Sequence, residues 1–450
     1  MESEYDIVVV GSGTSGSTAA YMCREKGWRV AIIDSNPFGG TCALRGCDPK
    51  KVLIGFAEII DSINNMEPNG VKAEGTVLEW KRMMQFKRSF TDMVPQNREK
   101  GFEKAGIDVF KGRAYFTGRN ELTVGGKNLN ARFFMIGAGA KPVPLKIPGA
   151  EYIKTSDYFL ELDTLPERIV FVGGGYISFE FAHITRMAGA ETIILHRSEH
   201  PLKKFDKDLV AGLLESMKEK GIDVRLNAPV VSVKKYNGYF IVEYTDRDSK
   251  KMVETDLVVH GAGRIPDISD MELDKANVEC SDRGIKVNEF LQSVSNKRVY
   301  SAGDSADTPG MPLTPVASME AGVASYNILN GNKIRPDYSG IPTVAFTLPP
   351  IASVGLNEAQ ALASGIEYEL HSGDTSKWFT SRRVSLEHTG FKVLVDKKSE
   401  YVVGAHVFGY HADEIINIFA LAIRNHIKAS KLRNMVYSYP TASSDIGYMV

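Results

Sequence analysis

Two cysteines, Cys42 and Cys47, stand five residues apart in the run Gly39-Gly40-Thr41-Cys42-Ala43-Leu44-Arg45-Gly46-Cys47-Asp48-Pro49-Lys50-Lys51. Thiols this close can do redox exchange, provided the backbone lets the two sulfurs meet. In regular helix five residues hold the Cα atoms more than about 7 Å apart, beyond the reach of a bridge. A disulfide therefore requires a distorted first helical turn, which Gly46 and Pro49 can accommodate. Two unrelated buried thiols, or part of a zinc site, are the poorer readings of the pair. Cys23 and Cys280 are isolated, with no C-x-x-C partner, and read as a core thiol and a loop thiol.

Two glycine loops could bind nucleotides. Asp6 to Val10 is a continuous β-branched run, the pattern of a strand buried on both faces. It breaks at Gly11-Ser12-Gly13-Thr14-Ser15-Gly16 and resumes as a helix through about Lys26, after which Arg29 to Ile33 forms a second strand ending at Asp34. Gly11 permits the tight turn, Gly13 the approach of a pyrophosphate, and Gly16 close helix packing, with the helix N-terminus facing the phosphates. Asp34 lies 18 residues after Gly16, where a carboxylate can bond ribose hydroxyls. The arrangement returns as Arg168 to Val172, Gly173-Gly174-Gly175-Tyr176-Ile177-Ser178, a helix, and Glu191 to Leu195. The second strand ends in Leu195-His196-Arg197-Ser198, followed by Lys203 and Lys204, with no acid. An acid there repels a 2′-phosphate, and Arg or Lys attracts one. NADPH is expected, with NADH possible.

The elements around these loops read as α/β. Asp108 to Ile136 alternates as strands around Gly118 and Gly125-Gly126, and Pro142, Pro144 and Pro148-Gly149 punctuate a domain crossing. After Pro336 the composition shifts to alternating strands (Phe391–Val395, Tyr401–His406) and an apolar-periodic helix (Ala412 to His426), a separate α+β domain. The chain has 450 residues, enough for several cores, and 54 Lys plus Arg against 55 Asp plus Glu. That balance argues against a general nucleic-acid or membrane surface. Four cysteines cannot be a secreted disulfide framework, and the N-terminus carries acids where a signal peptide carries bases. A cytoplasmic multidomain enzyme is expected.

Further motifs stand in order behind the cysteine pair: Ile136-Gly137-Ala138-Gly139-Ala140-Lys141-Pro142, Gly261-Ala262-Gly263-Arg264-Ile265-Pro266, Tyr300-Ser301-Ala302-Gly303-Asp304 with Leu313-Thr314-Pro315-Val316-Ala317, and Phe346 to Gly355. Together they resemble the class I flavoprotein pyridine nucleotide-disulfide oxidoreductases (glutathione reductase, dihydrolipoamide dehydrogenase, mercuric reductase and relatives). The resemblance covers nearly the whole chain. It implies two Rossmann-like dinucleotide-binding domains plus a C-terminal α+β dimerisation domain: 1–150 for FAD, 151–266 for NAD(P), 267–335 returning to the FAD domain, and 336–450 for the dimer interface.

The resemblance also implies roles. Cys42 is the interchange thiol and Cys47 the thiol against the flavin, joined as a redox disulfide. Lys50, with Lys51 the weaker candidate, pairs with Glu180 near the reactive end of the isoalloxazine. Gly11, Gly13, Gly16, Asp34, Thr41, Lys50, Gly137, Gly303 and Asp304 hold FAD. Gly173, Gly175, Tyr176, Arg197, Lys203 and Gly263 serve the nicotinamide nucleotide, with Tyr176 an aromatic gate over the flavin. No metal cofactor is implied. The implied enzyme is a homodimer passing electrons from NADPH through FAD and the disulfide to a low-molecular-weight disulfide.

Two departures matter. Pro350 stands where the family usually has Glu. The family's terminal His-Pro-Thr segment, followed by an acid, is here Tyr439-Pro440-Thr441-Ala442-Ser443-Ser444-Asp445. Tyrosine, with a pKa near 10, cannot hold a thiol's proton at neutral pH as histidine can. His411 or His426 are candidates to replace it. A metal-ion or quinone acceptor needs no such acid, and a nicotinamide-sensing flavoprotein with a binding output is a third reading. Mercuric reductases add a C-terminal cysteine pair, whereas this chain ends Tyr448-Met449-Val450.

Overall fold

A computed structural model describes residues 4–247 and 249–450. The chain divides into two compact units. The first gathers residues 1–49, 86–143 and 264–338, and the second 50–85, 144–263 and 339–450.

In the first unit, continuous β-branched runs became a parallel sheet buried on both faces. Its strands run in the order Asp108–Lys111, Val30–Asp34, Tyr5–Val10, Lys127–Ile136, Val299–Ser301. Val10 pairs with both Ile33 and Ile136, so the strand ends and the loops beyond them lie side by side. One face packs Ile7, Val9, Ile32 and Met135 against Ala19, Ala20 and Cys23 of the Thr14–Glu25 helix and Ala321, Ala324 and Ile328 of the Thr314–Asn330 helix. The other face packs Val8, Val10, Ile33 and Phe134 with Phe116 and Leu122 of the Ala114–Gly118 and Glu121–Val124 strands. Those two strands and Lys127–Ile136 form the antiparallel meander expected around Gly118 and Gly125-Gly126. Ala140–Pro142 and Arg264–Pro266, the expected outward and return crossings, pair antiparallel.

The second unit repeats the parallel motif with strands ordered Ile222–Arg225, Glu191–Leu195, Arg168–Val172, Leu257–His260. A three-stranded antiparallel sheet spans Val230–Lys235, Phe240–Asp246 and Ser249–Thr255. A five-stranded antiparallel sheet runs Thr343–Ala345, Ile351–Gly355, Val402–Phe408, Gly390–Asp396, Tyr368–Asp374. The Ala412–Arg424 helix buries Ile415, Ile416 and Phe419 in the core that includes Val393, Ala405 and Val407 of that sheet. Among the described residues no helix is long and apolar enough to cross a membrane.

Candidate active site

The first glycine loop is shaped by what a side chain would collide with. Gly11 has φ +98°, and a Cβ on it would lie 2.2 Å from the Gly137 carbonyl oxygen. A Cβ on Gly16 would meet the Gly11 oxygen at 1.8 Å, so the helix starts in close contact with the loop. Gly13 caps the Thr14–Glu25 helix without a side-chain acceptor, and the first turn carries no acid. Its amides therefore face outward uncapped, the arrangement an anionic diphosphate needs.

Asp34 stands at its strand end as expected, but its carboxylate is already engaged within the protein. Oδ2 accepts from the Ser12 amide (2.8 Å) and hydroxyl (2.6 Å), and Oδ1 from the Asn36 amide (2.8 Å). The Ser12 hydroxyl accepts in turn from the Gly39 amide at 3.0 Å. Asp34 thus ties the glycine loop to the start of the cysteine segment.

The helix distortion demanded by the cysteine spacing is present. The Gly40–Arg45 helix, which carries Thr41 and Cys42, stops at Gly46 (φ −140°, ψ −115°), and a new helix, Cys47–Met66, begins at Cys47. A Cβ on Gly46 would sit 2.8 Å from the Thr41 oxygen, so the break is closed to larger residues. The expected bridge is open: Cys42 and Cys47 are both thiols. The two sulfurs are close enough for Cys47 to perturb the Cys42 thiol. The Cys47 sulfur lies 3.4 Å from the Thr314 hydroxyl, and the Cys42 sulfur 3.8 Å from Asp48 Oδ1. Cys42 is pushed well above the ordinary thiol range by its hydrogen bond with Cys47, then by burial, while Thr314 opposes and Asp48 adds to the rise. Cys23 is buried in the core and Cys280 exposed, as expected for a core thiol and a loop thiol.

Beyond the Val299–Ser301 strand, Gly303 (φ +70°) opens a short 3₁₀ turn whose amide donates to Glu320 Oε2 at 2.7 Å. Glu320, 1% exposed, also accepts from the hydroxyls of Thr308 and Tyr338, each at 2.7 Å. The neighbouring Asp304 carboxyl is pushed upward by burial, opposed by Arg264 and by its own amide. Glu320 is committed to three donors inside the protein, whereas Asp304 is half-buried and accepts from its own amide. Asp304 therefore suits a hydroxyl-bearing chain such as the ribityl arm of FAD, and the uncapped first loop suits its diphosphate. The residues present fit that cofactor.

In the second unit the turn is repeated. Gly173 has φ +112°, and its Cβ would meet the Gly261 oxygen at 2.3 Å. Gly175 caps the Tyr176–Met187 helix, again with no side-chain acceptor and no acid in the first turn. Tyr176 hydrogen-bonds through its hydroxyl to Thr343 at 2.6 Å and packs edge-on against Phe205. Glu180, 1% exposed, is met by Lys50 Nζ at 2.7 Å. Lys51 instead turns to Glu58 at 3.0 Å and lies over the Phe346 ring, so Lys50 is the pairing lysine.

Beyond the second strand, Arg197, Lys203 and Lys204 are exposed. Sequence reasoning passed over His196. Its imidazole is buried, Nε2 meets the Ser198 hydroxyl at 2.9 Å, and a Cβ on Gly174 would lie 2.6 Å from Nδ1. Nδ1 is buried without a partner. Gly263 is exposed at φ +113°.

The terminal segment is brought to none of these groups within the second unit. Tyr439 is 76% exposed and leans on Phe379. Ser444 closes a capping box with Thr441, and Asp445 accepts from the Thr380 hydroxyl. His411 lies against Tyr410, and His426 against Tyr401. Asp48, Thr314, Glu320 and Thr343 are the other contacts that sequence reasoning did not single out. Asp48 and Thr314 had a visible signal, each standing inside a quoted motif.

Comparison with known proteins agrees with this geometry. Residues 5–321 match the pyridine nucleotide-disulphide oxidoreductase family, and residues 341–450 its dimerisation domain. The chain is 32% identical to a glutathione reductase of Burkholderia cepacia, covering 98% of this chain and 97% of that one. It is 30% identical to a dihydrolipoyl dehydrogenase of Staphylococcus aureus over 99% and 98% of the two chains. A Bacillus cereus mercuric reductase is 30% identical, over 98% of this chain and 70% of that one. The solved Cu(II) complex of the HOCl-induced flavoprotein disulfide reductase RclA from Escherichia coli superposes with a TM-score of 0.87 at 25% identity, covering 100% and 99%. The chain belongs to the pyridine nucleotide-disulphide oxidoreductase family, as a FAD-dependent, NAD(P)H-linked disulfide oxidoreductase whose dimerisation domain supports a homodimer.

Proposed function

We propose that this enzyme draws on NADPH and delivers electrons through Cys42 and Cys47 to a low-molecular-weight disulfide. The observation that carries the reading is the cysteine pair itself, two thiols set across a helix break at Gly46. When bound, FAD supplies a two-electron relay between nicotinamide and disulfide. The loop Gly11-Gly13-Gly16, with Thr41, Gly137, Gly303 and Asp304, holds that cofactor, and Asp34 braces the loop through Ser12. Segments 1–150 and 267–335 form the FAD domain, 151–266 the nucleotide domain and 336–450 the dimer interface.

Lys50, partly buried, pairs with the buried Glu180, where the low local dielectric strengthens their attraction. Lys50 holds positive charge where electron density arrives. Gly173, Gly175 and Gly263 admit the second nucleotide, Tyr176 gates its nicotinamide, and Arg197 and Lys203 attract a 2′-phosphate. Cys47 lies at a helix N-terminus, which favours its thiolate. Cys42 attacks the acceptor. A dithiol of this kind works where NADPH is supplied and thiols stay reduced, which fits a cytoplasmic enzyme.

A second reading, reduction of a metal ion, is favoured by Tyr439, because a metal acceptor releases no thiolate that needs a proton. The names of the mercuric reductase and of the Cu(II) complex point the same way. An NADPH-consumption screen of disulfides, quinones and metal ions decides. Turnover of small disulfides supports the first reading, turnover of metal ions alone the second, and none at all a sensing protein.

A further inference from the structure

We propose that Asp48 is a charge filter at Cys42, favouring neutral or cationic acceptors over polyanionic ones. The proposal rests on the reading that Cys42 is the sulfur that attacks the acceptor. Asp48 Oδ1 lies 3.8 Å from the Cys42 sulfur, in line to accept its S–H. Asp48 is exposed and Cys42 half-buried, so a solvent-accessible carboxylate stands beside the reactive atom. An anion approaching that sulfur must come within a few ångströms of a like charge. At about 4 Å in water one unit charge changes such an encounter roughly fivefold.

The chemistry makes the location matter. The Cys42 sulfur attacks one acceptor sulfur, the acceptor S–S bond breaks, and the departing thiolate takes the proton from Cys42. The Cys47 sulfur then attacks Cys42, the Cys42–Cys47 bond forms, and the second thiol leaves with the Cys47 proton. Two electrons pass from dithiol to acceptor, and Asp48 ends unchanged. Throughout the first step the acceptor's substituents lie close to Cys42 and within the field of Asp48. After Cys47 and burial, the carboxylate adds to what disfavours ionisation of Cys42. An acid in the first turn of the Cys47–Met66 helix is welcome to the helix dipole whatever it does at Cys42, so the test must read charge at the sulfur.

The test is alkylation of the NADPH-reduced holoenzyme at low salt by iodoacetate and iodoacetamide, with modification of each cysteine tracked by mass spectrometry. In Asp48→Asn the iodoacetate-to-iodoacetamide rate ratio at Cys42 should rise about fivefold. In Asp48→Glu it should stay near the native value, and at Cys280 it should not move in either variant. An unchanged ratio in Asp48→Asn overturns the filter, as does an equal change in Asp48→Glu. Turnover of cystamine, 2-hydroxyethyl disulfide and dithiodiglycolate then reads the same charge in catalysis, with Asp48→Asn narrowing the preference for the dication. If none of the three is turned over while the alkylation ratio moves, the disulfide reading fails and the filter stands.

Discussion

The two glycine loops solve one steric problem and then diverge. Gly11 and Gly173 share a positive φ, and each faces a carbonyl oxygen, of Gly137 or Gly261, that leaves no room for a side chain. Behind the first loop the helix buries small residues, Ser15, Gly16, Ser17, Ala19 and Ala20, and does little more than approach the sheet. Behind the second it buries Phe179, Glu180, Phe181, His183 and Ile184, and one of these, Glu180, pairs with Lys50. The first strand pair ends in an acid clamped to its own loop through Ser12, and the second in an imidazole packed on Gly174 with cations outside. The turn is generic. The two loops differ in the helix and the strand end behind each turn.

The sharpest way to break the comparison is to add one carbon to each turn. Gly11→Ala should purify with little flavin. Gly173→Ala should keep its flavin and lose affinity for NADPH by on the order of a hundredfold, since steric overlap and backbone strain each cost about 1–3 kcal/mol. Flavin-to-protein absorbance and NADPH titration measure both. Flavin loss from Gly173→Ala alone would reverse the assignment.

Next in size is the charge pair behind the second loop. Lys50→Met leaves Glu180 buried without its cation, which costs about 3–5 kcal/mol and lowers the melting temperature of the holoenzyme. Adding Glu180→Gln should restore most of that loss. A single variant as stable as the native protein would show that the pair is not buried as described.

The strand ends come third. Arg197→Glu should raise the KM for NADPH tenfold to a hundredfold and that for NADH far less, because charge-assisted phosphate contacts contribute roughly 1.5–3 kcal/mol. Equal native efficiency with both coenzymes would remove the distinction between the loops.

The smallest effect is expected far from either turn. Tyr439→Phe should leave flavin reduction by NADPH unchanged and alter only the step in which acceptor meets Cys42. Tyr439→His should raise disulfide turnover near neutrality by adding a base that titrates near pH 6.5. Rapid-reaction kinetics of the two half-reactions separate these outcomes, and slowed flavin reduction in Tyr439→Phe would contradict the placement.

Much of this was legible in the sequence because local sterics dictate it. The glycine turns, the β-branched buried strands and the helix break between Cys42 and Cys47 are each set by residues close in the chain. Lys50 was preferred over Lys51 by resemblance, and the structure adds the reason: Lys51 points to Glu58. What stayed hidden depends on partners distant in sequence. Nothing near Asp34 announced that Ser12 would occupy it, and nothing near Gly303 announced Glu320 beneath it, 17 residues away. His196 passed as part of a basic loop because its burial against Gly174 comes from the turn, not from its neighbours. Asp48 was readable in type but not in consequence, since its contact with Cys42 exists only once the helix breaks at Gly46.

If Cys42 and Cys47 form a redox pair that exchanges electrons with FAD, anaerobic titration with NADPH reads it. The native enzyme should take up two electrons per chain beyond those of FAD, and Cys42→Ser should lose that capacity while keeping its flavin. Equal uptake by the two proteins would contradict the account.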